Sequence, residues 1–561
     1  MNCVLVALNA KYSHSSLALR YLKHYCQPQF PDLETLEFNI NQEPHAILAE
    51  LASRKPDVVG FSCYIWNIEL VLPLARNLRK VCPETTIILG GPEVSFDLEY
   101  WLEHHPAIDY LIAGEGEEAL RRFLEVFSQS GGAPGPGMLA TVPGLVYRQG
   151  QKIVVNRQEP LDLSAIPPIY AGDLGELQNK IVYYETTRGC PYACAYCLSS
   201  VMGRVRKFPD QRWMEELQLL ADAGVEQVRF VDRTFNYDAR RAFELLKFML
   251  ELETETRFQL EVSGDILTDE ILELLRRAPE NRFQFEIGVQ STNEETLEAV
   301  SRRADLDRLR EVVLFLKSET TVRVLLDLIA GLPEEGFWRF GESFDFVYAL
   351  RPDRIHLGFL KLLRGSALRE RADSFGCVYT KEAPYEVLST KDMSFAELSR
   401  LKVIEDLVDK YYGPRFAHSL AYLLAEGSSP FAFFNELAKR WEQAGYNWLN
   451  HSLLGLCRNL WELFRDEKPD LLPWLCYDFR KNEPRQATPK WMGGRSDRRL
   501  ENELIQSGRL LQILPELQGL GPREMGRRIF VETLHFSRGT EQILFYFPPD
   551  KTVARTFSLR P

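Results

Sequence analysis

Two long stretches of this chain alternate short apolar runs with segments of helical apolar spacing, and few folds accommodate that alternation. Within the first 130 residues, CVLVALN, LETLEFNI, DVVGFSCY, TIILGG and YLIAG read as five buried strands. Between them, SSLALRYLKHYC, HAILAELASR and IELVLPLARNLRKV carry apolar residues at helical spacing. Such alternation builds a parallel, doubly wound α/β sheet, and ligands bind beyond the carboxyl ends of its strands. GGAPGPG (131–137) breaks the pattern. GLVYRQGQKIVVN then reads as two short strands around a Gln149-Gly150 turn, and PLDLSAIPPIY as a linker. A second alternating series starts at Lys180, with candidate strands IVYYET, QVRFVD, FQLEVSG, FQFEIGVQ, VRVLLDLIAGLP and DRIHLGFLKLL. From about Ser374 the sequence turns helical and aromatic-rich, and RIFVETLHF with QILFYFP reads as a late β-hairpin. No internal repeat is visible.

Chemistry enters at Cys190, Cys194 and Cys197, in ETTRGCPYACAYCL. Three thiolates at this spacing can hold three irons of a [4Fe–4S] cubane and leave the fourth open to an exchangeable ligand. Structural zinc wants four ligands, and no second Cys pair or His lies close by in sequence. CxxxCxxC with Tyr196 before the third Cys resembles the radical SAM superfamily. That resemblance implies an open iron that chelates S-adenosylmethionine (SAM), from which one electron releases a 5′-deoxyadenosyl radical. It also implies that the six strands form a partial (βα)₆ barrel with active groups at their carboxyl ends. Tyr196, Asp232, Ser263, Glu286, Gln290 and Gly331 are then the expected SAM contacts. Asp232 stands where many relatives read GGE, so the usual amine contact is missing in that form. Asn293 with Glu294 and Glu295 reads as the start of a helix.

The loop after the first strand, NAKYSHSS, lacks the GxGxxG of a dinucleotide site. It is similar instead to the cobalamin-binding pattern Asp-x-His-x-x-Gly, Ser-x-Leu, Gly-Gly. His14, Ser62 and Gly90-Gly91 keep that order, while Tyr12, Leu17 and Tyr64 replace the Asp, Gly and Leu. Tyr12, His14, Ser62, Gly90, Gly91 and Gly114 are the expected cobalamin contacts. Without the Asp no obvious partner orients the imidazole, so His14 reads as a loop residue near the corrin rather than as the lower axial ligand. Small residues at the strand ends would let a large planar cofactor approach the backbone.

Together these features resemble cobalamin-dependent radical SAM proteins over roughly residues 1–370, with a C-terminal extension like that of an uncharacterised branch. The expected organisation is a cobalamin-binding α/β domain (1–130), a linker with a short hairpin (131–178), a partial barrel (179–372) and a mainly helical domain (373–561). The resemblance implies methylation of an unactivated carbon or phosphorus centre through a 5′-deoxyadenosyl radical and methylcobalamin. A cobalamin-dependent rearrangement or cyclisation is the alternative. A transfer-RNA methylthiotransferase, with three further cluster cysteines, and a non-catalytic corrinoid carrier are the remaining readings. Cys3, Cys26, Cys63 and Cys82 lie within or beside predicted strands and helices, and most of them read as buried small hydrophobes rather than ligands.

Composition narrows the partners. A length of 561 residues, with 45% hydrophobic and 26% charged residues, fits a globular protein of several domains. A net charge of −12 argues against a nucleic-acid substrate. Local basic clusters at Arg121, at Arg302-Arg303 and in Pro484 to Arg499 read as solvated surface. No apolar run approaches the ~20 residues that span a bilayer, and no secretory signal precedes CVLVALN. Cytoplasmic location, a small-molecule or peptide substrate and an electron donor such as flavodoxin or ferredoxin are expected. Trp441, Trp448, Trp461 and Trp474 read mostly as core.

Overall fold

The computed structural model describes residues 1–561 except 173, 179, 202, 426, 428, 448, 484–487, 494, 550–552 and 560–561. The amino-terminal sheet contains β1 (Cys3–Asn9), β2 (Glu34–Asn39), β3 (Val58–Ser62), β4 (Thr86–Gly90) and β5 (Tyr110–Ile112). These strands are parallel in the order β2-β1-β3-β4-β5. The order reverses between β1 and β3, which makes that crevice the switch point. Alternate side chains bury opposite faces. Val4, Val6, Phe61 and Leu89 pack with Val71 and Leu78 of the helix Ile68–Val81, while Leu5, Ile88 and Ile112 pack with Phe123 of the helix Gly116–Gln129.

Two details differ from the sequence reading. β2 is an edge strand, so its side chains are half-exposed rather than buried. The hairpin β6 (Leu145–Gln149) and β7 (Lys152–Val155) is not confined to a linker: β6 pairs antiparallel with β5 and extends the sheet to seven strands. Short strands and polar turns hid this pairing, which covers an otherwise open edge.

The second series gives β8 (Ile181–Tyr184), then a two-residue antiparallel clasp of β9 (Thr187–Arg188) with β10 (Arg206–Lys207). β11 (Gln227–Phe230), β12 (Arg257–Val262), β13 (Phe283–Gln290), β14 (Arg323–Ala330) and β15 (Arg354–Phe359) follow. The six-stranded sheet runs β8-β11-β12-β13-β14-β15, and its pairs from β8 to β14 are parallel. Sequential parallel strands with helical crossovers form the wall of an open barrel. Val228, Phe258, Leu260, Phe285 and Ile287 are buried on one face. Tyr183, Arg229, Gln259, Glu261, Glu286 and Asp327 share the other, by register and alternation.

The chain divides into two compact units, Met1–Phe337 with Gly358–Phe395, and Trp338–Leu357 with Ala396–Pro561. In the first, β16 (Val378–Tyr379) and β17 (Val387–Ser389) make a small ladder. The second holds the helices Ala417–Leu423, Pro430–Gln443, Leu453–Phe464 and Leu471–Asn482, with an antiparallel sheet. Its strands β18 (Arg495–Ser496), β19 (Ile529–Phe536), β20 (Gly539–Tyr546) and β21 (Arg555–Ser558) include the expected hairpin and widen it on both sides. Trp441 is fully buried, whereas Trp461 and Trp474 are only partly so, and Trp448 lies outside the described residues. No helix among the described residues is long and apolar enough to cross a membrane.

Candidate functional site

The three cysteines lie in the loop between β9 and β10, at the carboxyl end of β8. Each sulfur has a polar neighbour. Cys190 Sγ lies 3.6 Å from Thr234 Oγ1, Ser199 N–H donates to Cys197 Sγ at 3.4 Å, and Arg302 Nη1 to Cys194 Sγ at 3.8 Å. Hydrogen bonds to sulfur are what cluster thiolates receive, and they tune its potential. Arg302 also reaches Tyr196 Oη at 3.4 Å and the Gly288 carbonyl. The expectation that Arg302 is solvated surface is therefore wrong: only Arg303 is exposed. The main chain holds the loop as well, through Ala195 N–H to Val300 O at 2.9 Å and Leu368 N–H to Ala195 O at 2.8 Å. The donor set fits a cubane bound by three thiolates. Among the described residues no His, Cys, Asp or Glu group is placed to hold one metal ion, and a cubane instead takes one iron per thiolate.

The other expected SAM residues divide by what already occupies them. Asp232 is buried and accepts from Thr186 N–H at 2.9 Å and from the Thr186 and Thr187 hydroxyls at 2.6 Å. Burial raises its pKa against those bonds. Its carboxylate ties the start of the cysteine loop to β11. Ser263 donates to Asp265 at 2.7 Å and receives Asn236 through its main chain, which makes it a turn residue. Glu286 accepts from Arg229 at 3.0 Å and Gln259 at 2.8 Å. Gln290 ends β13 with φ +68° after a bulge, and its buried Oε1 lacks a hydrogen-bond partner. An orphaned acceptor at a strand end is a place for a ligand donor. Gly331 follows the last residue of β14. The predicted helix starts at Glu294 with Asn293 as its N-cap, but Asn293 donates to Thr296 and to Glu334 O instead of capping through its side chain.

Sequence reasoning missed Glu261. It sits opposite Glu286 in the β12–β13 register. Burial pushes its carboxyl up to about 7; Arg233 opposes the rise and Glu286 adds to it. Closed barrels fill this face with branched apolar residues. Here Arg229, Glu261 and Glu286 make it charged, and only the period-two alternation of QVRF, FQLEV and FQFEI carried that signal.

At the amino-terminal sheet, Tyr12 is 82% exposed on the loop after β1. Ser62 and Gly90 end β3 and β4 in paired register. Gly91 has φ +110°, and a Cβ there would lie 2.5 Å from Cys63 O. Gly114 has φ +81°, and its Cβ would meet Gln158 Oε1 at 2.3 Å. Both glycines adopt a left-handed backbone conformation, and at Gly91 the main chain of Cys63 also leaves no space for a Cβ. A further residue missed in the sequence is Trp66. Its indole N–H donates to Leu8 O at 3.3 Å, it stacks on Tyr64 at 4.2 Å, and it remains 46% exposed. Asn67 fixes the same corner by donating to Leu8 O and Ser62 O. A flat aromatic surface thus lies over the switch point between β1 and β3. Cys3, Cys26 and Cys63 are buried, and burial pushes the Cys3 thiol up to about 12 and the other two further from thiolate. Such thiols are packing groups.

The switch-point loops meet the barrel directly. Ile181 N–H donates to Ser13 O at 2.7 Å, and Ser15 Oγ to Ile181 O at 3.1 Å. His14 Nδ1 and the Tyr183 hydroxyl are 2.9 Å apart, so a barrel residue orients the imidazole that had no obvious partner in sequence. Burial, Lys11 and Arg229 lower the His14 pKa, favouring the neutral ring. Glu115 and Glu117 after β5 bind Arg188 at 3.3 and 2.5 Å, and Glu115 also binds Arg206 at 2.5 Å. Burial opposes ionisation of Glu115, but Arg206, the Leu161 N–H and Arg188 outweigh it and hold its pKa low. These pairs clamp both strands that flank the cysteine loop.

Comparison with known proteins agrees with this geometry. Residues 4–124 match the B12 binding domain, 184–347 the radical SAM superfamily, and 373–543 a protein family of unknown function, DUF4080. The chain is 32% identical over 212 residues to the cobalamin-dependent radical SAM methyltransferase TokK of Streptomyces tokunonensis, covering 35% of this chain and 30% of that protein. It is 32% identical over 193 residues to the 2-(S-pantetheinyl)-carbapenam-3-carboxylate methyltransferase of Streptantibioticus cattleyicolor, covering 32% and 28%. The matched segment thus spans under a third of either relative. The cobalamin-dependent SAM radical enzyme OxsB, solved with aqua-cobalamin and SAM, shares the fold with a TM-score of 0.60 at 14% identity, over 85% of this chain and 79% of that one. The chain thus joins an amino-terminal B12-binding domain to a radical SAM domain. Its particular mark is the DUF4080 region that follows the barrel.

Proposed function

We propose that this protein is a cobalamin-dependent radical SAM methyltransferase acting on an unactivated carbon centre. The observation that carries the reading is the joint between crevice and cysteine loop. Tyr183 holds His14, and Arg188 and Arg206 hold Glu115 and Glu117, so the switch point opens beside the strand that leads into the cysteine loop. When bound, the cluster supplies the electron that cleaves SAM, and cobalamin carries the methyl group to be transferred.

The chain's own residues bind, orient and exclude water. Cys190, Cys194 and Cys197 are the iron ligands. Arg302, beside Cys194, places a fixed positive charge where the SAM carboxylate would reach the open iron, and Tyr196 packs against it. Gln290 offers its unpartnered Oε1 to a ribose hydroxyl or an amine. Glu261 and Gly331 stand at strand ends, and Ser263 and Asp232 shape the turns. Glu286 lies mid-strand in β13 rather than at its end, bound to Arg229 and Gln259. In the amino-terminal sheet Tyr12, Trp66, Ser62 and Gly90 would hold the corrin, with Gly91 and Gly114 setting the loops. His14, neutral and held through Nδ1, keeps its position beside the ring. An electron donor such as flavodoxin or ferredoxin and a small-molecule or peptide substrate complete the proposal, in a reducing cytoplasm.

Stoichiometry tests it. Protein reconstituted anaerobically with iron and sulfide and incubated with cobalamin should retain about four irons and one cobalamin per chain. About eight irons, or no retained cobalamin, would refute the assignment.

A further inference from the structure

The second compact unit contains a cavity that the proposed chemistry does not use. Its volume is about 250 Å³, and it opens between the helices Ala417–Leu423 and Leu471–Asn482 and one face of the β19–β20–β21 sheet. Aromatic rings make its walls. Trp474 stacks on His418 at 5.9 Å and 14°, and it meets Phe536 at 4.9 Å and 59° and Tyr477 at 5.8 Å and 73°. Leu534 and Ile543 extend the lining, while the Phe557 ring packs with Leu544 on the opposite face of the sheet. Rings inclined to one another in this way present π faces on more than one side of a single space.

The polar groups of the lining have one character. Glu541 is the single acidic residue among the lining residues, and its side chain is 16% exposed. Arg538 pairs with it at 2.7 Å from a side chain that is 61% exposed. Tyr477 and Thr556 pair their hydroxyls at 2.8 Å, and Ser558 adds a third. Asp478 is 1% exposed and lies 2.7 Å from His418 Nδ1; it also accepts the Ser419 N–H and hydroxyl, both at 2.8 Å. Asp478 accepts at Nδ1, which leaves Nε2 as the ring nitrogen turned away from it. The lining therefore offers π faces and a carboxylate, and it contains no Lys or Arg.

We infer that this cavity is a binding site for a small organic cation, an alkylated ammonium of about choline size. π faces attract a cation through the ring quadrupole, and a desolvated site strengthens that attraction. Two of these rings already attract cations: Lys481 Nζ lies 5.8 Å from the Tyr477 centroid, and Arg538 lies over Phe536 at 5.2 Å. Arg538, which is 61% exposed, offsets the Glu541 charge from outside the lining, so selection of an ammonium over a neutral ligand of equal shape rests on the π faces, with Glu541 as the lining acid nearest them. The DUF4080 region carries most of this site, from His418 through Ile543. The inference does not depend on the methyltransferase reading.

Isothermal titration of the full chain with choline and with 3,3-dimethyl-1-butanol, its neutral isostere, provides the test. Choline should bind at least tenfold more tightly than the isostere. Glu541→Gln should weaken choline about tenfold and leave the isostere unchanged, and Phe536→Leu should weaken choline in the same way. Equal affinities for the two ligands, or no choline binding up to 50 mM, would overturn the inference. So would undiminished choline affinity in both variants, because the bound cation would then lie elsewhere.

Discussion

Arg302 brings a permanent positive charge to 3.8 Å from one cluster thiol, and its backbone position says nothing of this. Arg302→Gln should keep the full iron content and weaken SAM binding tenfold or more, since a hydrogen bond to a charged group contributes ~1.5–3 kcal/mol. Equilibrium dialysis with SAM on iron-replete protein checks it. Cys194→Ala should behave oppositely and lose most of the iron. Glu261 gives a pH-dependent effect. Its folded pKa, about 7, lies above its ordinary value of 4.5, so the folded state holds the proton longer. The stability it contributes is present in full at acid pH and is lost as pH rises from about 4.5 through 7. Glu261→Gln should therefore raise stability at pH 8 by up to about 3 kcal/mol and leave it nearly unchanged at pH 4, by denaturant titration. These residues were hard to read because their significance is three-dimensional. Arg302 looks like surface in Ser-Arg-Arg, and Asp232 looks exposed at a strand end until Thr186 and Thr187 reach it. The cysteines were legible because their spacing alone carries the chemistry.

At the scale of elements, the alternation of runs was enough to place every strand of both parallel sheets. Parallel strands buried on both faces read as continuous apolar runs, and period-two polarity marked the charged face of the barrel. Long-range pairing was not legible, since nothing in GLVYRQGQKIVVN says that it joins β5. This hairpin yields a sharp expectation. A fragment ending at residue 130 leaves the β5 edge open and should aggregate, whereas one ending at residue 159 keeps β6, β7 and the Gln158 contacts with Glu115 and should remain a monomer. Size-exclusion chromatography separates the two outcomes. Gly91→Ala tests the same sheet at its carboxyl end. With φ +110° and a Cβ 2.5 Å from Cys63 O, it should lower the melting temperature of the cobalamin-free protein. If Gly91 only made room for cofactor, that melting temperature would not move.

For the whole molecule, the first compact unit holds both the switch-point crevice and the cysteine loop, joined by His14–Tyr183 and by the Arg188 and Arg206 ion pairs. The order of the two sheets along the chain was readable; the residues that join them were not, because they come from positions 169 and 71 residues apart. The proposed methyltransferase would use SAM in two ways, as methyl donor to cobalamin and as radical source. The direct measurement is simultaneous quantification of S-adenosylhomocysteine and 5′-deoxyadenosine, from anaerobic protein loaded with cluster and cobalamin and supplied with SAM and a low-potential reductant. The account predicts both products, with 5′-deoxyadenosine lost in Cys190→Ala, Cys194→Ala or Cys197→Ala. Protein that holds about four irons and one cobalamin yet forms 5′-deoxyadenosine alone, or neither product, would contradict it.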